Sequence, residues 1–149
     1  MPPPSDHPSL KLQLMPEPFC VLQFSISDTS NLEHLHSLIT ASVLPSGTGF
    51  VSITRTPDEI SVVVDVPGGG DFIQKDKFAW KCIKIVGPMD FGLTGVMCDI
   101  TTPLKAAKIP IFALSTWNTD YILVGIDRFE EAIDVLKADD WGFHLVENH

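Results

Sequence analysis

Apolar and polar residues alternate along much of this chain with the period of a strand. Leu10-Lys11-Leu12-Gln13-Leu14 switches strictly between the two, which predicts a half-buried strand, and Cys20-Val21-Leu22-Gln23-Phe24 predicts a second. After a polar stretch, Leu32, Leu35, Leu38 and Ile39 fall at helical spacing and predict a short helix over about residues 30–41. Residues 49–55 and 60–66 read as a hairpin around Thr56-Pro57-Asp58-Glu59. No second helix is visible in this half. Pro67-Gly68-Gly69-Gly70 breaks the chain, and the polar run to Lys77 extends it into a linker.

The second half has a cleaner order. Residues 80–86 predict a strand and residues 87–94 a loop. Leu93, Val96, Met97, Ile100, Leu104 and Ala107 lie on one helical face, with a kink or break expected at Pro103. Strands are predicted at 109–115 and 121–124. Asp127-Arg128-Phe129-Glu130 has the form of a capping box, and Phe129, Ala132, Ile133 and Leu136 stripe the helix behind it, over 127–138. Asp139-Asp140-Trp141-Gly142 reads as a helix-ending turn, and residues 143–146 as a closing strand. The order β-α-β-β-α-β is the ferredoxin-like unit.

Residues 53–63 align without a gap on residues 114–124, which pairs Arg55 with Thr116 and Glu59 with Asp120. Two copies of a hairpin suggest two copies of a domain. The expected class is therefore α+β, with two tandem ferredoxin-like βαββαβ domains over 9–70 and 78–149 behind a disordered, proline-rich leader at 1–8.

Composition narrows the function. The formal net charge is −9 with only 10 Lys and Arg, so no basic patch favours nucleic acid. No apolar run reaches the roughly 18 residues of a membrane span, and the N-terminus lacks the basic and apolar regions of a signal peptide. Three cysteines without paired spacing argue against a disulfide framework or zinc site and fit a reducing cytoplasm. No metal, no cofactor and no catalytic residue is expected. His34 and His36 stand two apart on a helix and do not share a face, and His144 is expected to point outward from its strand. Cys82 and Cys98 are expected in the core.

Two segments carry candidate chemistry. Gly87-Pro88-Met89-Asp90-Phe91-Gly92-Leu93-Thr94-Gly95 joins a strand to a helix start, where glycines admit a ligand and free amides favour an anionic group. Taken alone it reads as a plain strand-to-helix turn capped by Thr94 or Asp90, because the fuller dinucleotide fingerprint is absent. In Ser115-Thr116-Trp117-Asn118-Thr119-Asp120, Asp120 is suited to accept from an ammonium and Trp117 to cover an apolar stem or a cation. The alternative there is a hairpin loop whose Asp caps its own turn.

At Phe50 to Val64, Gly87 to Leu104 and Ile111 to Val124 the chain resembles the two-copy ACT-type domains of small bacterial ACT proteins and of the CASTOR cytosolic arginine sensors. The most specific of the three stretches runs from Ile111-Phe112-Ala113-Leu114 through the Ser115–Asp120 turn. The resemblance implies a non-catalytic regulatory or sensory role, with an amino acid or similar metabolite bound at a domain–domain interface. It places Thr116, Trp117 and Asp120 at the site, adds the backbone around Thr94, Gly95 and Val96, and puts Ile111 on the partner edge. This chain departs from the sensors in having Pro110 where they carry a small polar residue, and two such domains where they have four. A second copy would restore the larger number, so a homodimer is expected, with a regulated enzyme or signalling protein as a further partner. A pure interaction module without ligand and a small enzyme on the same fold remain alternatives.

Overall fold

The computed structural model describes residues 7–89 and 95–144. The chain is α+β and divides into two compact units, Glu17–Trp80 and Met1–Pro16 together with Lys81–His149. The unit Glu17–Trp80 carries β2 (Phe19–Phe24), α1 (Leu32–Val43), β3 (Val51–Arg55), β4 (Ile60–Asp65) and α2 (Val66–Gly69); β1 (Leu12–Leu14) precedes it in the chain. The other unit carries β1, β5 (Trp80–Ile85, of which Trp80 falls in the first unit), α3 (Val96–Ala106), β6 (Ile111–Ser115), β7 (Asp120–Gly125) and α4 (Phe129–Ala138).

In the Glu17–Trp80 unit the strand order is β3-β4-β2, antiparallel throughout, and Trp80 stands opposite Phe19. Every second residue of the hairpin faces α1, because successive side chains alternate across a sheet. Val62 and Val64 of β4 pack with Leu35 and Leu38 of α1, and Val51, Ile53 and Ile60 join that cluster. The glycine run expected as a linker is instead, in part, a packed turn. The Asp65 carboxylate accepts from the Gly68 amide at 2.8 Å and from the Phe50 amide at 2.9 Å, tying α2 to the start of β3. A Cβ on Gly68 would lie 2.2 Å from the Phe50 carbonyl oxygen, so only glycine lets the two backbones approach. Gly69 is buried behind it. The second helix of this unit is thus a single turn.

In the other unit the order is β1-β5-β7-β6. The Leu10–Leu14 run, expected within the first domain, belongs here: Leu12 pairs with Ile85 and Leu14 with Ile83, antiparallel. Leu10 and Leu12 are both buried in this unit's core, and burying two leucines contributes roughly 3–6 kcal/mol, enough to hold a three-residue strand. Against them pack Val96, Ile100 and Leu104 of α3 and Phe129, Ala132, Ile133 and Leu136 of α4. Pro103 lies inside α3, which continues through it without a break. Cys82 is buried as expected, whereas Cys98 is exposed on α3.

The Asp127 capping box does not form. Ile126–Arg128 is a 3-10 turn, Arg128 occupies the cap position of α4, and no side chain caps the helix. Arg128 instead donates to Glu131 at 2.7 Å and to the carbonyl of Ala107 at 3.3 Å, holding the end of α3. The Glu131 bond pushes the guanidinium further up and the Glu131 carboxyl down. α4 ends in the expected turn, with Asp140 left-handed and the Trp141 amide reaching back to Leu136 at 3.1 Å. Of the predicted strand at 143–146, Phe143 bridges Leu12 in parallel and the His144 side chain is exposed; residues 145 and 146 lie outside the described residues.

Candidate functional site

The two candidate segments of the second half come together. β5 ends at Ile85 beside β7, so the chain leaving β5 runs past the β6–β7 turn. The Met89 amide donates to the Asn118 carbonyl at 2.9 Å, and the Thr119 hydroxyl donates to the Ile85 carbonyl at 2.6 Å. Thr119 is buried, so this bond is shielded from competing water. Gly87 has φ +66, and a Cβ there would lie 3.0 Å from the Thr119 Cβ. A glycine is required at this crossing both by its backbone angle and by the threonine beside it.

The turn itself is held by Thr116. Its amide donates to the Thr119 carbonyl at 2.9 Å, while its hydroxyl accepts from the Asn118 and Thr119 amides at 3.3 and 3.4 Å. The loop therefore spans Thr116–Thr119, and Asp120 is the first residue of β7, paired with Ser115. Asp120 shares its face of the sheet with Ile122 and Val124, the side on which α3 and α4 pack. The Ser115 hydroxyl donates to Asp120 Oδ1 at 2.6 Å. Among the described residues the other carboxylate oxygen accepts no hydrogen bond, and the group is only half-buried. Asp120 does not cap its own turn; Thr116 does.

Trp117 is 83% exposed at the tip of the turn. Gly95 is exposed, left-handed at φ +74, and stands at the cap position of α3, while Val96 is buried in the core. Ile111 is half-buried opposite Val124 and packs against the same core. Thr94 and the rest of 90–94 lie outside the described residues. Tyr121, next to Asp120, has its phenol pushed up by burial, and Lys84 Nζ lies 5.9 Å from its ring. Sequence reasoning missed Thr119. One turn threonine looks like another until the β5–β7 pairing puts this one against Ile85. Among the described residues no cluster of His, Cys, Asp and Glu is arranged to hold a metal, and no helix is long and apolar enough to cross a membrane.

Residues 77–138 match the family model of the ACT domain. The chain is 29% identical over 118 residues to the cytosolic arginine sensor for mTORC1 subunit 1 of Bos taurus, a match covering 71% of this chain and 36% of that protein. The chain thus spans about a third of the length of that relative. The crystal structure of Atu0741 from Agobacterium tumefaciens is 30% identical, with a TM-score of 0.68, and the match covers 96% of this chain and 98% of that one. The aspartokinase alpha and beta subunit structure shares the fold at 14% identity, with a TM-score of 0.57 over 87% of this chain and 96% of that one. Residues 77–138 of the chain thus carry an ACT domain. The chain is also similar to the cytosolic arginine sensors.

Proposed function

We propose that this protein is a non-catalytic regulatory module, built of two ACT-like units, that binds an amino acid or similar zwitterion. The observation that carries the reading is the junction of the post-β5 strap with the Thr116–Thr119 turn. Its bonds from Met89 to Asn118 and from Thr119 to Ile85 hold Asp120 on a rigid strand beside it. A ligand ammonium pairs with the Asp120 carboxylate, and the amides at the start of α3 behind Gly95 suit the ligand carboxylate. Thr116 and Trp117 border that position in sequence, and Ile111 lies at the far end of β6. The relative named as an arginine sensor supports a sensing role. The same reading makes the protein a cytoplasmic homodimer whose ligand lies between ACT-like units, acting on an enzyme or signalling partner.

Thermal unfolding with each common amino acid tests it. A ligand at 100 times its dissociation constant stabilises the folded state by about 2.7 kcal/mol. Asp120→Ala is expected to abolish that shift while leaving the unliganded melting curve nearly in place. If no amino acid moves the transition, or the variant responds like the parent, the reading fails.

A further inference from the structure

A second site lies in the Glu17–Trp80 unit. α1 buries Leu35 and Leu38 in the core but leaves Leu32 61% and Ile39 46% exposed. Between this flank and the far end of the β3–β4 hairpin is a cavity of about 530 Å³, walled by Leu32, Leu35, Ile39, Ile53 and Ile60 with Arg55 among its lining. That volume lies within the range of about 300–1,000 Å³ typical of small-molecule pockets, whose walls are mostly apolar with a small number of polar groups, here Arg55, Glu33 and His36. Arg55 pairs across the strands with Ile60 and shares its face with Ile53, so its side chain leaves from the helix-facing side. Among the described residues its guanidinium has no hydrogen bond or ion pair in a chain of net charge −9.

We propose that this cavity binds an amphipathic carboxylate, an apolar chain or ring carrying a single carboxylate, with the apolar part between α1 and the hairpin and the carboxylate on Arg55. A guanidinium presents two parallel N–H groups that match a carboxylate in plane. The acid among the lining residues, Glu33, lies in the first turn of α1, where the helix dipole already stabilises a negative charge. It therefore has less need of a ligand cation than Arg55 has of an anion. One arginine beside an acid does not suit a polyanion. In the other unit the corresponding sheet positions are Ser115 and Asp120, so a ligand fitted here does not fit there. The proposal does not rest on the amino-acid reading of the second unit.

Titration of the isotope-labelled full chain with octanoate, below its micelle concentration, tests the site, with octylamine as the opposite-charge control. Octanoate is expected to saturate and to move amide signals of residues 32–39 and 53–60. Arg55→Gln is expected to weaken it roughly tenfold with the spectrum otherwise intact. Ile39→Asp, at an exposed position, is expected to abolish binding without unfolding the protein. Equal affinity for octylamine, unchanged affinity in Arg55→Gln, or shifts mapping outside these segments overturns the proposal. So does concentration-dependent self-association that excludes octanoate, which would make a second copy the occupant.

Discussion

The β3–β4 and β6–β7 hairpins have the same turn and opposite surroundings. In each a threonine, Thr56 or Thr116, closes a four-residue loop with its amide on the fourth residue's carbonyl at 2.9 Å, and in each its hydroxyl accepts from two loop amides. This match places Arg55 with Ser115 and Ile60 with Asp120, one residue from the gapless alignment that paired Arg55 with Thr116 and Glu59 with Asp120. A one-residue slip moves a side chain to the other face of a sheet. The corrected register puts an apolar residue and an arginine at the helix-facing end of one hairpin, and a hydrogen-bonded hydroxyl–carboxylate pair at the same place in the other. The two hairpins share a backbone and differ in the chemistry at the tip.

The units also differ beyond the hairpin. β4 leads into one turn locked by Asp65, whereas β7 leads through Gly125 into a full helix. The largest contrast is expected from alanine at these exits. Gly68→Ala puts a methyl group against the Phe50 carbonyl and is expected to cost about 2–4 kcal/mol in urea denaturation. Gly125→Ala meets only the Asp127 carboxylate, which can swing away, at an ordinary backbone angle, and is expected to cost under about 1 kcal/mol. Equal losses would show that the Asp65 lock does not distinguish the units.

A smaller effect separates the two turns. Thr119 hydrogen-bonds to the Ile85 carbonyl, and the matching residue of the other turn, Glu59, accepts from Gln23 at the surface. Thr119→Val keeps the shape but leaves a buried carbonyl unsatisfied, and about 1–3 kcal/mol is the expected loss. Glu59→Ala is expected to stay within about 0.5 kcal/mol. Hydrogen exchange at Met89 reports whether the strap loosens with Thr119→Val; unchanged protection would remove the junction's claim to hold the site rigid.

The strands and three longer helices were legible because each carries a strong local pattern: alternation in β3, continuous apolar runs in β4 and β7, and a helical stripe in Phe129, Ala132, Ile133 and Leu136. Three features were not. The pairing of Leu10–Leu14 with β5 is a contact between residues some seventy positions apart, on which local pattern is silent. The Pro67–Gly70 run looks flexible because glycine marks both loops and close backbone crossings, and only the Asp65 bonds distinguish them. The Asp127 capping box failed because Arg128 found better partners on Glu131 and at the end of α3. For the site, the sequence singled out both segments and Asp120, but neither the Thr119 hydroxyl that joins them nor the face on which Asp120 lies.

The smallest expected effect concerns the way helices end. α3 and α4 both close with a left-handed residue that is not glycine, Lys108 at φ +58 and Asp140 at φ +67. In each case the next amide returns to the helix, Ile109 to Leu104 at 3.0 Å and Trp141 to Leu136 at 3.1 Å, and Ile109 and Trp141 then enter the core. α1 ends differently, with Leu44 extended. A side chain at such a left-handed position costs on the order of 1 kcal/mol, less for Asp, which tolerates the conformation better than Lys. Lys108→Gly is therefore expected to raise stability by about 0.5–1 kcal/mol and Asp140→Gly by less, because glycine fits the angle but gives back unfolded-state entropy. Urea midpoints check the order of the two. A loss of stability in Lys108→Gly would mean that the lysine side chain, rather than the backbone angle, holds the end of α3.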